Sequence, residues 1–197
     1  MGTDIHAFVE LDSSDREPFS GTAGIHSVAD GDLWLERDYE IFDALAWGRS
    51  WDLAPEHRSP PPLVAPRGIP RALSLPVTWA YYAIVATDGT PDGRFWPVDA
   101  VVSADEAAAW EKRGSVRSAV EQTGHFGRTP PQLWALVSKP WWHTASWLRP
   151  SELDESLARL RYRRRLPFGY KLLQTIVDAC VDEFGAERVR VVVWFDN

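Results

Sequence analysis

The chain has 197 residues, of which 45% are hydrophobic and 25% are charged, and its formal net charge is -7 because 28 acidic residues outnumber 21 Lys and Arg. This length is sufficient for a buried core, so we expect a single globular domain over residues 1–197. The acidic balance argues against binding of duplex nucleic acid, whose phosphates require a basic surface.

The first predicted element is a strand over residues 4–11. Side chains alternate between the two faces of a strand. One face is apolar and belongs to the core, and it carries Ile5, Ala7, Val9 and Leu11. The other carries Asp4, His6, Phe8 and Glu10, of which we expect Glu10 to lie at a solvated rim.

The next predicted elements flank a proline-rich segment. Asp38 begins a short amphipathic helix that Gly48 ends. Prolines recur over residues 52–76, which excludes a regular helix or a central strand and predicts an irregular excursion within the domain. The apolar run over residues 77–87 follows Pro76 and predicts a buried strand.

The remaining predictions rest on capping signals and apolar periodicity. Helices are predicted to begin at Ser103, at Thr129 with Pro130, and at Ser151, the last of them running toward Arg165. A longer amphipathic helix contains residues 172–184 and ends at Gly185, and an apolar strand over residues 188–195 is placed in the centre of a sheet. The fold class is α+β or mixed α/β, with one central sheet that contains both terminal strands and the strand at 77–87.

Five stretches resemble a family of small phage-encoded and bacterial proteins that open with Met-Gly-Cys-Asp-Ile-His and close with Phe-Asp-Asn. They are MGTDIHAFVE, RDYEIFDALAWGR, APRGIP, WWHTASWLRPSEL and VRVVVWFDN, in chain order. The chain departs from the family at Thr3, where Cys is common, which puts cysteine chemistry in doubt because a threonine hydroxyl is a weak nucleophile without a base. The resemblance implies no particular reaction, but a phage association favours interference with host enzymes or nucleotide signals.

The two chain ends supply the first candidate site. Asp4 and His6 share a strand face, so the carboxylate could orient the imidazole for acid–base chemistry. Alternatively, both are hydrogen-bonded structural groups. Asp196 ends the last strand, and it can approach Asp4 and His6 only if the two terminal strands are antiparallel neighbours; otherwise it caps the sheet end.

A second candidate site surrounds His143. Trp141, Trp142 and Trp147 flank this imidazole, and the hydroxyls of Thr144 and Ser146 lie nearby in the sequence. Aromatic walls with a few polar groups are typical of pockets for a flat ligand such as a nucleobase. The alternative is a core aromatic cluster with one hydrogen-bonded histidine. His and carboxylate side chains suit several metals, but no close-spaced ligand motif is present and no metal site is assigned.

Arginines supply two further candidates. Arg67 in the APRGIP turn and Arg49 could bind a carboxylate or phosphate ligand through two parallel hydrogen bonds, or each could form a structural salt bridge. The arginine-rich run over residues 159–165 is either a solvated helix face or a patch for an acidic partner.

These observations leave three functions open. The leading hypothesis is recognition of a small, nucleotide-like ligand by Asp4, His6, His143 and Asp196, with Arg67, Trp142, Ser146 and Trp147 as further contacts. The first alternative is a hydrolase or transferase that uses Asp4 and His6 as an acid–base pair, with His143 as a further catalytic residue. The second is an acidic inhibitor or immunity-type protein that binds a partner protein.

Location and cofactors are constrained only in part. Cys180 is the single cysteine, which excludes an intrachain disulfide and fits a reducing compartment. No signal-peptide pattern follows Met1, and no apolar run approaches about 18 residues. We therefore expect a cytoplasmic protein without a membrane segment, and the sequence identifies no cofactor.

Overall fold

The computed structural model describes residues 4–28, 33–35, 38–45, 62–86, 101–122, 132–160 and 166–196. The chain forms two compact units, one of residues 1–77 and 143–197 and one of residues 78–142. Helices and two sheets are present, and the two terminal strands pair, so the predicted α+β class is confirmed. None of the helices in these ranges is long and apolar enough to cross a membrane.

The elements are numbered in chain order. The strands are β1 (Ile5–Asp12), β2 (Ile25–Ser27), β3 (Leu33–Leu35), β4 (Tyr82–Val85), β5 (Val101–Val102), β6 (Arg117–Gln122), β7 (Gln132–Ser138), β8 (His143–Leu148) and β9 (Val189–Phe195). The helices are α1 (Tyr39–Leu45), α2 (Leu75–Tyr81), α3 (Ala104–Glu111), α4 (Pro150–Ala158) and α5 (Phe168–Phe184), with a 3₁₀ turn at Ala186–Arg188 before β9.

The sheet of the first unit has β9 in its interior. Its order is β2-β1-β9-β8, β3 also pairs with β1, and β9 is antiparallel to both of its neighbours. All seven residues of β9 are buried, which fits its nearly continuous apolar sequence. The predicted central position of the last strand is confirmed.

Helices α1, α4 and α5 pack on one face of this sheet. The alternate residues Ile5, Ala7 and Val9 of β1 lie in the same core as the apolar stripe of α5. The predicted long helix is confirmed as α5, and Gly185 ends it with a positive φ of 88°. Asp38 begins α1 as predicted, because its carboxylate accepts hydrogen bonds from the backbone of Glu40 and Ile41.

The second unit contains a separate sheet with the order β5-β4-β7-β6. Strand β4 is parallel to β5 and antiparallel to β7, which also pairs with β6. The predicted cap of α3 is confirmed, since Glu106 N donates to Ser103 Oγ at 3.1 Å. Ala107 and Trp110 of that helix pack against β4 and β7.

Three sequence predictions are wrong in this region. The run over residues 77–87 begins as α2 and becomes β4 only at Tyr82, because Pro76 lies in the first helical turn, where proline is well tolerated. Strand β4 also belongs to the second sheet and not to the sheet of the terminal strands. The helix predicted from Thr129 and Pro130 is contradicted where it is described, since Gln132–Ser138 is a strand paired on both sides.

The buried polar pair of β1 and β9 corrects another prediction. Glu10 is fully buried and does not lie at a solvated rim. It is the cross-strand neighbour of Arg190, and Arg190 Nη2 lies 2.6 Å from Glu10 Oε2. Burial lowers the pKa of Arg190, and the adjacent Glu10 carboxylate opposes that shift.

This pair also holds the end of the proline-rich segment. The other carboxylate oxygen of Glu10 accepts a hydrogen bond from Ser74 N at 2.6 Å, and the Arg190 guanidinium donates to the carbonyl oxygen of Ala72. The Phe19 ring covers the guanidinium, with 4.0 Å between Cζ and the ring centroid. Residues 52–61 of the segment lie outside the described residues, and residues 62–74 form neither helix nor strand.

Candidate functional site

The two chain ends meet at one end of the first sheet. Because β1 and β9 are antiparallel, Ile5 pairs with Phe195, and the residues just beyond them are Asp4 and Asp196. Asp4 N donates to Asp196 Oδ1 at 2.7 Å, and Asp196 N donates to the carbonyl oxygen of Asp4 at 3.3 Å. Asp196 can approach Asp4 only if β1 and β9 are antiparallel, and they are. The hydrogen bond from Asp4 N holds one oxygen of the Asp196 carboxylate in place.

The other oxygen of this carboxylate faces His6. Nε2 of His6 lies 3.7 Å from Asp196 Oδ2, a distance longer than a hydrogen bond but within the range of an ion pair. The two side chains are 20% and 26% exposed, respectively. The imidazole stacks on the ring of Trp194, its cross-strand neighbour, with 5.7 Å between centroids and an interplanar angle of 14°.

His143 reaches the same aspartate from β8. Its Nε2 lies 3.3 Å from the backbone oxygen of Asp196, and its Nδ1 lies 3.0 Å from Thr144 Oγ1. The ring packs near the edge of Phe42 and beside Phe195, with centroid distances of 5.9 and 6.0 Å. We call Asp4, His6, His143 and Asp196 the His–Asp cluster; it joins three strand ends around Asp196.

A β-bulge lies beside this cluster. His143 pairs with Phe195 and Ser146 pairs with Val193, so β8 has one residue more than β9 over this interval. Thr144 within the bulge has a φ of 48°, and Phe19 is the only other described non-glycine residue with a positive φ. A left-handed conformation costs an ordinary residue about 1–2 kcal/mol and is rare for a β-branched one.

Arg67 lies in a different cluster. Its guanidinium makes a two-pronged contact with Glu152 at 2.8 and 2.6 Å. It also donates to the carbonyl oxygen of Trp147 and lies over that indole, with 4.3 Å from Cζ to the ring centroid. Arg67 N donates to Ser146 Oγ at 3.2 Å. We call Arg67, Ser146, Trp147 and Glu152 the Arg67 cluster.

The charges of the Arg67 cluster are satisfied within the protein. The hydrogen bond from Arg67 lowers the pKa of Glu152, burial opposes that shift, and a backbone hydrogen bond from Arg149 adds to it. Of the two readings of Arg67, ligand clamp or structural salt bridge, the salt bridge is the arrangement that the structure contains. The guanidinium fork already binds a carboxylate.

Trp142 belongs to the second unit. Its Nε1 donates to the carbonyl oxygen of Ala80 at 3.2 Å. Lys139 Nζ donates to the same oxygen at 2.9 Å and lies 5.6 Å from the Trp142 ring. Trp141 packs edge-on against Trp142 in that unit. Of the aromatic residues expected to surround His143, Trp147 belongs to the Arg67 cluster, and Trp141 and Trp142 belong to the second unit.

Several residues singled out in the sequence lie outside the described residues. They are Thr3, Gly48, Arg49, Thr129, Pro130 and the run of residues 161–165. Among the described residues, no group of three or more His, Cys, Asp and Glu side chains is arranged to hold a metal ion.

Most of the groups that complete the His–Asp cluster could not be predicted from the sequence. The backbone N–H of Asp4 and the backbone oxygen of Asp196 are main-chain atoms, and no residue type signals their role. Trp194 was detectable, because its position two residues before Asp196 places its side chain on the same strand face. Glu152 as the partner of Arg67 had no local signal, since 85 residues separate them in the chain.

Comparisons with protein-family models, with curated proteins and with solved structures gave no significant match. The geometry of the described residues is therefore the basis for the function proposed below.

Proposed function

We propose that the protein is a hydrolase or transferase that recognises a small polar substrate at the His–Asp cluster and uses its imidazoles as acid and base. The observation that carries this proposal is that His6 and His143 contact opposite parts of one residue, the carboxylate and the backbone oxygen of Asp196. Imidazole is the side chain that most readily gains or loses a proton near neutral pH. His6 pairs across the sheet with Trp194 and His143 pairs with Phe195, so the two rings lie on opposite faces of the sheet, and each can act as base and then as acid for a group on its own face.

Asp196 has the role of a positioning residue in this proposal. One carboxylate oxygen is held by Asp4 N, so the second is directed at His6 Nε2. A carboxylate in that position stabilises the imidazolium that forms when His6 accepts a proton. Stacking on Trp194 restricts the rotation of the His6 ring, which lowers the entropy cost of holding the base in place.

Recognition of a small ligand is the first step of this function. The aromatic pocket expected around His143 has less support than the polar cluster. The predicted pocket needs Trp142 and Trp147 beside that histidine. Trp147 is covered by the Arg67 guanidinium, and Trp142 is engaged with Lys139 and Ala80 in the second unit. The proposed chemistry depends on the polar groups, and it does not require an indole that stacks on the substrate.

The test is thermal unfolding of four proteins against a panel of small esters, phosphate esters and nucleotides. The proteins are the wild type, His6→Gln, His143→Gln and His26→Gln. His26 is the matched control, because it is exposed on β2 and its Nε2 lies 3.1 Å from Ser13 Oγ, away from the cluster. A ligand that binds only the native state stabilises it by about 2.7 kcal/mol at a hundredfold excess over Kd.

We expect one ligand to stabilise the wild type and His26→Gln but neither cluster variant. We also expect the wild type to convert that ligand to product. Turnover in His6→Gln should fall by about 10²-fold or more. A ligand that stabilises all four proteins equally would contradict the assignment of the site. Stabilisation without product would leave recognition as the whole function and would contradict the catalytic part.

A further inference from the structure

We infer that Thr144 is a nucleophile activated by His143, so that the reaction at this sheet end passes through a covalent threonine ester. The inference deepens the proposed function by assigning its substrate class, carboxylic esters or similarly activated acyl groups. It starts from two atoms, Thr144 Oγ1 and His143 Nδ1, which lie 3.0 Å apart. That separation is a hydrogen bond between a hydroxyl and the type of base that activates one.

The second contact of the ring determines the direction of this hydrogen bond. His143 Nε2 lies 3.3 Å from the backbone oxygen of Asp196, and a carbonyl oxygen can only accept. The neutral ring therefore carries its proton on Nε2, and Nδ1 presents a lone pair. Thr144 Oγ1–H donates to that lone pair, so the ring is placed to remove the hydroxyl proton.

The backbone at Thr144 supports a role beyond packing. A β-branched residue with a φ of 48° is strained, and the strain occurs in the bulge that places the hydroxyl beside the imidazole. Strained residues persist where the surrounding structure enforces them, and they concentrate at functional sites. Thr144 as a whole residue is partly exposed.

The chemical step balances with water as the second reactant. The Thr144 hydroxyl proton moves to His143 Nδ1 while Oγ1 forms a bond to the acyl carbon, and the bond from that carbon to the leaving oxygen breaks. The leaving alcohol takes the proton from Nδ1. Water then attacks the threonine ester, gives a proton to Nδ1 and releases the acid, and Oγ1 recovers that proton. The carbonyl oxygen of Asp196 stabilises the transient imidazolium through Nε2–H.

The test is covalent labelling with a fluorophosphonate, which reacts with activated hydroxyl groups and needs no known substrate. Oγ1 bonds to phosphorus, the P–F bond breaks with departure of fluoride, and the proton passes to His143. Intact-protein mass spectrometry counts the adducts and peptide mapping locates them. We expect one adduct on Thr144 in the wild type, none on that residue in Thr144→Val, and retained labelling in Thr144→Ser.

Two further variants separate activation from mere exposure. His143→Gln should slow labelling of Thr144 by about 10²-fold or more, because the base is lost. Thr175→Val is the matched control, since the Thr175 hydroxyl donates to the carbonyl oxygen of Lys171 at 2.8 Å on the exposed side of α5, and labelling should not change. Melting temperatures confirm that each variant is folded.

The inference is overturned if Thr144 carries no adduct, or if His143→Gln labels at the wild-type rate. Labelling reports on Thr144 and His143 without His6, so the two proposals fail separately. Unlabelled Thr144 together with a histidine-dependent ligand shift would reject the nucleophile alone. If Thr144 is labelled and His6→Gln binds ligand as the wild type does, the role of His6 alone is rejected.

Discussion

Two pairs of ionisable side chains lie on the same face of the same two strands, and their environments differ. In the middle of β1 and β9, Glu10 and Arg190 are 0% and 5% exposed and lie 2.6 Å apart. At the end of the strands, His6 and Asp196 are 20% and 26% exposed and lie 3.7 Å apart. The buried pair is enclosed by protein groups, whereas the side chains of the terminal pair are partly exposed, although His6 Nε2 itself is buried.

This difference separates the structural role of the buried pair from the role proposed for the terminal pair. A buried ion pair is costly to desolvate and is retained only when its partners are well placed, so Glu10 and Arg190 fix the strand register and the end of the proline-rich segment. The contact at the strand end is longer than a hydrogen bond, and its side chains are only partly enclosed. On the proposed function, the middle of the strands contributes stability and their ends carry the chemistry.

The largest expected effect is on stability, at the buried pair. Arg190→Met should lower the free energy of unfolding by about 3–5 kcal/mol, because it leaves the Glu10 carboxylate buried without its counter-charge. Adding Glu10→Leu should restore part of that loss, since no buried charge then remains. Urea titration measures both values, and a double variant no more stable than the single one would show that the charge is not the cause.

The Arg67 cluster should show an intermediate effect. Arg67→Met keeps the contact with the Trp147 ring but loses both hydrogen bonds to Glu152, and we expect a loss of about 1–2 kcal/mol. Arg117→Met is the matched control, because its pair with Glu111 is 42% and 34% exposed and should contribute below about 1 kcal/mol. Equal losses in the two variants would mean that the Arg67 cluster adds nothing beyond a surface salt bridge.

The same cluster predicts a dependence of stability on acid pH. The pKa of Glu152 is lower in the folded protein than its ordinary value, so the unfolded chain takes up the proton first. This contribution is fully present above the ordinary carboxyl pKa and is lost as the pH falls through the folded value. Glu152→Gln should therefore have a shallower loss of stability in acid than the wild type, as measured by urea midpoints from pH 7 downward.

The smallest stability effect is expected at the terminal pair. Asp196→Asn should change the free energy of unfolding by about 1 kcal/mol or less, since both side chains are partly exposed. Its ligand response should nevertheless fall with that of His6→Gln. A large destabilisation with unchanged ligand binding would reverse the assignment of stability and chemistry to the two parts of the strands.

Much of the fold was predictable because its signals are local. The alternation of Ile5, Ala7 and Val9, the cap at Ser103 and the end of α5 at Gly185 each depend on neighbours within a few positions. The errors concern properties that distant residues decide. Arg190 buries Glu10, and pairing on two sides makes residues 132–138 a strand after a segment that resembled a helix start.

The candidate site was predictable in its residue types but not in its grouping. The sequence placed Asp4 and His6 on one strand face and required antiparallel pairing for Asp196 to join them. Nothing local showed that His143 would meet the backbone of Asp196, or that the Arg67 guanidinium would bind Glu152. Those contacts depend on strand order and on pairing between distant segments, which local sequence patterns do not reveal.

The most direct test of the central claim is an NMR spectrum of the Cε1–Hε1 groups of the five histidines, recorded while a panel of small polar ligands is added. Each signal is assigned by a single substitution. The His–Asp cluster predicts that one ligand class shifts the His6 and His143 signals together and leaves the His26 signal in place. If every ligand shifts only the signals of other histidines, or shifts no histidine signal, a functional site at this end of the sheet is contradicted.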